Sequence, residues 1–236
     1  MLERDRVEYI EQQQFLVARG FFYRLFAKTL YLEPSPENLQ EFYSNTQIGD
    51  LCQGFAENTA EQEFFLALQL LDKYTLEDWQ RLRNEYRRLF LQPEHVVVCP
   101  WESVYLSREQ VIFDEHTLAV QEFYQRFGMK APHRSEGPAD HIGIECSFMA
   151  YLSELGLNAD NKGVVAVDYL AAQQLFLQEH IGRFIEKFCS VLAEESFHIF
   201  YKTLAKFLYA YITADIAILQ EMRNIESCQE EKINEV

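Results

Sequence analysis

Between residues 7 and 31 the chain sets Phe15, Phe22, Leu25, Phe26 and Leu30 three, four or seven places apart, the period of one face of an α-helix. That spacing cannot serve a strand, whose buried side chains recur at every second residue. The same period returns in FFLALQLLDKY and again over 76–90 through Trp79, Leu82, Tyr86, Leu89 and Phe90. It continues in stretches at 115–127, 138–155, 164–180 and 197–223. Nine glycines and six prolines in 236 residues leave too few tight turns for a sandwich or barrel. The reading is all-α: one domain of nine or ten helices over 1–225, then a fraying acidic tail at 226–236.

Local chemistry punctuates these helices. Ser35 before Pro36 is an N-cap followed by a first-turn proline, opening a short helix to Tyr43. A polar link follows at 44–57, and Asn58 with Glu61 has the form of a capping box. Thr75 with Asp78 restarts the chain for helix 76–90. Gly128, the apolar-flanked Gly156 and Gly182 read as stops or breaks, and 128–137 is a candidate hinge. Residues 91–114 break the pattern with two prolines and β-branched runs, so they read as an extended crossing loop with brief strand-like pieces. It carries Trp101 and Tyr105, and long loops in compact domains are often functional.

A formal charge of −16 argues against non-specific nucleic-acid binding, which needs Lys and Arg to displace counterions, and suits a cationic partner. The five cysteines are odd in number and scattered, as in a reducing cytoplasm. No signal-peptide core is evident at the start. The most apolar long segment, 197–219, contains Lys202, Lys206 and Asp215, so no membrane span is expected.

The densest polar chemistry lies in SEGPADHIGIECSFMAYL, 135–151. With Pro138 as a first helical residue, Asp140 falls in the first turn, where its charge complements free N–H groups. His141 and Glu145 are i, i+4 neighbours at the border of the stripe carrying Ile144, Phe148 and Leu152. They are either a mutually satisfied pair or the edge of a polar pocket. Metal chemistry is poorly supported: H-E-x-x-H is absent, and Glu195 to His198 is a single E-x-x-H where a di-iron bundle uses two. G-x-S-x-G and the glycine-rich phosphate loops are also missing. A helical binding protein is favoured over a nucleotide- or metal-dependent helical enzyme using Asp140, His141 and Glu145.

Four pieces, taken together, resemble the TorD/DmsD family of redox-enzyme maturation chaperones. Glu136-Gly-Pro-Ala-Asp140-His141 is similar to its E-x-P-x-D-H signature, with Gly137 between Glu136 and Pro138. Tyr86-Arg-Arg-Leu89-Phe90 resembles its aromatic-x-x-L-F pattern, Pro100 to Leu106 its proline–aromatic crossing segment, and 176–188 its C-terminal helix pair around a histidine, here His180. The resemblance implies a cytoplasmic, non-enzymatic chaperone. Its partners would be the twin-arginine leader and catalytic subunit of a molybdopterin oxidoreductase, with release for export after cofactor insertion. It implies no cofactor of the chaperone's own, although some members are reported to bind guanine nucleotide, and it allows a monomer or a domain-swapped dimer. On that footing Asp140, Glu136 and Glu102 are expected to serve the leader's cationic end. Tyr86, Leu89, Phe90, Trp101, Tyr105 and Phe148 would line a groove whose geometry His141 and Glu145 fix.

Overall fold

The computed structural model describes residues 3–45, 59–92, 96–107, 113–130, 137–160 and 167–234. Within them ten α-helices occur and no strand. They are α1 (Glu3–Tyr31), α2 (Pro36–Tyr43), α3 (Thr59–Gln69), α4 (Leu76–Phe90), α5 (Glu102–Leu106), α6 (Glu115–Arg126), α7 (Ile142–Asp160), α8 (Val167–Phe176), α9 (Gly182–Glu195) and α10 (Ile199–Asn234). The all-α expectation stands.

Two of the expected caps form in full. Ser35 accepts from the Asn38 N–H at 3.2 Å and opens α2 at Pro36. Thr75 and Asp78 close a reciprocal capping box on α4, satisfying two backbone donors the helix start would otherwise leave free. Asn58 lies outside the described residues, as does most of the 44–57 link; within the candidate hinge, 131–136 also do.

Other boundaries move. Pro138 does not start a helix: α7 begins at Ile142 and runs to Asp160. Gly156 is therefore interior, not a stop, and lies against Leu16 of α1. The last helix continues to Asn234, through the segment read as a tail. The crossing loop contains a short helix, α5, that its sequence did not announce.

The broadest helix contact is α1 against α7; α10 receives α9 and α3. Close approach at one end of the α1–α7 seam depends on Gly143, where a Cβ would sit 2.7 Å from the Tyr31 Cβ. Aromatic rings fill two regions of the core. Phe22, Phe26, Phe64, Phe207 and Tyr211 join α1, α3 and α10, with Phe64 stacked on Phe207 at 5.3 Å. Phe123, Tyr124, Phe148 and Phe176 join α6, α7 and α8. Each well-placed pair contributes about 0.5–1.5 kcal/mol beyond its burial.

A polar network crosses the core between α1, α7, α8 and α10. Arg19, fully enclosed, forms an ion pair with Asp215 and donates to the Gln173 side-chain oxygen Oε1 at 2.9 and 3.2 Å. Tyr23 donates its hydroxyl to the second Asp215 oxygen, and Ser153 donates to Gln173 at 3.0 Å. The acid that interrupts the apolar run 197–219 is thus met by a partner near the other end of the chain.

Candidate functional site

The signature segment and the crossing segment meet as an isolated antiparallel bridge between Trp101 and His141. The Glu102 N–H donates to the Asp140 carbonyl at 2.9 Å, and the Ile142 N–H to the Pro100 carbonyl at 2.8 Å. Two bonds thereby tie the start of α5 to the start of α7.

Asp140 completes the tie from the side. One carboxylate oxygen accepts from the Ser103 N–H at 2.8 Å, the other from the Thr117 hydroxyl at 2.8 Å. It therefore caps α5, whose own N-cap residue, Trp101, offers no acceptor side chain. Two residues ahead of α7 and fully buried, Asp140 is neither a first-turn acid of that helix nor available at the surface to a guanidinium.

His141 takes the cap position on α7 instead. Its Nδ1 accepts from the Gly143 N–H at 3.0 Å, so that nitrogen is unprotonated. Burial lowers the ring to about 3, and the imidazole is neutral over the physiological range. The ring lies between two others, edge-on to Tyr31 at 5.1 Å and to Trp101 at 6.1 Å. Trp101 and His141 are partly exposed and Tyr31 is 40% exposed, so the three form a rim open to solvent. Tyr105, also partly exposed, is packed separately on Phe184 and anchored by its hydroxyl to the Cys99 carbonyl at 2.8 Å.

Beneath the rim is an acidic centre. Glu102 and Glu145 are fully buried beside Asp140. His180 sets its Nδ1 3.2 Å from both Glu102 oxygens, and the His116 Nδ1 is 3.7 Å from one of them. A π-helical turn, Leu177–Ile181, delivers His180; such turns recur at functional sites. Gly182 closes it, where a Cβ would come within 2.6 Å of the Leu177 carbonyl oxygen. Among the described residues no donor reaches either Glu145 oxygen, so this carboxyl is not paired with His141. Burial, then the charges of Glu102 and Asp140, pushes Glu145 well above the usual carboxylate range. Protonated, its hydroxyl can share a proton with Glu102.

The nominated residues thus divide. Trp101 and His141 meet at the surface. Glu102, Asp140 and Glu145 meet inside. Tyr86, Leu89 and Phe90 are buried on the inner face of α4, where Tyr86 donates to the Leu30 carbonyl and packs with Phe90 against Tyr201. Phe148 is buried in the second aromatic region. Glu136 lies outside the described residues. Tyr31 was not nominated; its position just off the Phe22–Phe26–Leu30 stripe, at the helix end, was the available signal. No group of three or more His, Cys, Asp or Glu among the described residues is arranged to hold a metal ion. No described helix is long and apolar enough to cross a membrane.

Residues 49–190 match the model of the nitrate reductase delta subunit family. The chain is 31% identical over 126 residues to a DmsD-type Tat proofreading chaperone of Haemophilus influenzae, covering 53% of this chain and 56% of that protein. It is 23% identical over 155 residues to the chaperone protein TorD of Aliivibrio salmonicida, covering 65% and 72% respectively. In fold it is similar to the crystal structure of a redox enzyme maturation protein from Archaeoglobus fulgidus, with a TM-score of 0.53 at 20% identity over 83% of this chain and 93% of that one.

Proposed function

The chain belongs to the nitrate reductase delta subunit family, the group of TorD and DmsD, and from that premise we propose that it is a chaperone of redox-enzyme maturation acting in the cytoplasm. Its client is the catalytic subunit of a molybdopterin oxidoreductase, whose twin-arginine leader it holds until the cofactor is inserted and the subunit has folded. The chaperone works by binding, with no turnover chemistry and no cofactor of its own.

The observation that carries this reading is the rim of Tyr31, His141 and Trp101, three rings partly open to water and fixed from below. A leader joins a pair of guanidinium groups to a modestly apolar, helix-prone run. Aromatic faces suit both, through apolar contact with the run and cation–π contact with an arginine. The net charge of −16 speeds encounter with such a cation. The buried acids act at one remove, because Asp140 and the bridge hold Trp101 against His141.

Titration calorimetry with a synthetic Arg-Arg leader is the test, with GTP and divalent cations in separate cells. The reading expects saturable leader binding that weakens when both arginines become lysine. Nucleotide or metal binding with no leader binding contradicts it.

A further inference from the structure

Where α1 ends, Glu33 receives a guanidinium fork. Arg87 of α4 donates its Nε to one Glu33 oxygen at 3.1 Å and its Nη2 to the other at 2.7 Å, the bidentate geometry in which a carboxylate reads an arginine. Arg83 stands 4.0 Å from the same carboxylate. Glu33 follows Tyr31 by two residues, so one short segment supplies both a ring of the aromatic rim and this acid. Beside the fork an open cleft of about 520 Å³ is lined by Asn84, Arg87, Arg88, Leu91 and Gln92. Leu91 and Leu32 are exposed there and at the end of α1, apolar surface beside the acid.

We infer that Glu33 is the carboxylate that receives an arginine of the leader, and that Arg87 occupies it in the free protein as an internal stand-in. This rests on the leader-binding reading above and adds to it the residue that recognises the guanidinium. The surface acid–arginine contact is the more exchangeable one. Glu33 is 34% and Arg87 54% exposed, and solvated pairs of that kind are held weakly. The buried acids are not available in the same way. Asp140 has both oxygens engaged, and Glu102 has no exposure. Charge requires exchange and not addition: Arg83 and Arg87 already balance Glu33, so an incoming arginine enters as Arg87 swings out toward water.

Calorimetry of the full chain with an Arg-Arg leader peptide tests this through three single variants, each first checked for an unchanged thermal melt. Glu33→Gln is expected to weaken binding about tenfold, the loss of one charge-assisted fork discounted for solvent. Arg87→Gln, which removes the competitor, is expected to tighten it about threefold. Glu63→Gln removes a charge of the same sign at a surface pair with Lys206 and is expected to change affinity by less than about twofold. Wild-type affinity in both Glu33→Gln and Arg87→Gln overturns the inference while leaving leader binding intact. So does a loss in Glu63→Gln equal to that in Glu33→Gln, since net charge alone would then account for it. Absence of binding by the unaltered chain overturns the functional reading itself.

Discussion

Two of the buried polar centres among the described residues are built to opposite standards. In the first, Arg19, Asp215, Gln173, Tyr23 and Ser153 satisfy one another across four helices. In the second, three carboxylates crowd beneath the rim, and Glu145 accepts no hydrogen bond from any described residue. A satisfied network fixes how helices sit, whereas an unmatched acid costs stability. The costly centre is the one joined to the bridge that carries Trp101 and His141. The first centre therefore serves fold stability, and the second holds a surface in place.

The largest expected effect comes from the satisfied centre. Arg19→Met leaves Asp215 buried without its counter-charge and is expected to cost about 3–5 kcal/mol in denaturant unfolding. Adding Asp215→Leu in the same chain is expected to restore most of that loss, because the stranded charge is then gone. A double variant as unstable as the single one breaks the contrast between the centres.

Glu145→Gln is expected to act the other way, with a gain of about 1–2 kcal/mol above neutral pH. The sign follows from the shift. A carboxyl raised on folding gives its full contribution below the unfolded value of roughly 4.3 and loses it as pH climbs toward the folded value. His141 is depressed to about 3. Its contribution is complete above roughly pH 6.5 and is lost as pH falls through that range. The contribution of Glu145 therefore falls as pH rises above about 4.3, and that of His141 falls as pH drops below about 6.5. Glu145→Gln should remove the alkaline decline, and His141→Asn, which keeps a capping side chain, the acid one. Thermal melts across pH measure both, and a decline that survives its variant has another source.

The effect at Thr117 sharpens the role of Asp140. Thr117→Val removes one of its two side-chain-facing donors and is expected to cost about 1–2 kcal/mol, read as a shift in urea midpoint at unchanged slope.

How much of this the sequence disclosed follows from the range of the forces involved. The caps at Ser35 and Thr75 and the apolar stripes were legible because each depends on residues within a turn or two. The signature itself was found, but its roles were misplaced. Asp140 has the form of a helix-start acid, yet its partners are Ser103 and Thr117, 37 and 23 residues away. His141 and Glu145 have the spacing of a pair, yet one ring turns to its own helix start and the other group turns inward. Residue type forecast burial poorly as well: Tyr86 and Phe90 suit a groove lining and a core equally, and they lie in the core. Arg19 gave no local signal, since its acid lies 196 residues further on.

The central claim is that the leader lies on the rim of Tyr31, His141 and Trp101 while the buried acids stay untouched. A leader peptide with a photoreactive group just after its arginine pair, cross-linked to the intact chain and mapped by mass spectrometry, tests it most directly. Labels are expected on segments containing Tyr31 or Trp101, lost with Trp101→Ala. Labels confined to the cleft of about 490 Å³ that His116, Arg126, His180 and Arg183 help to line would contradict it.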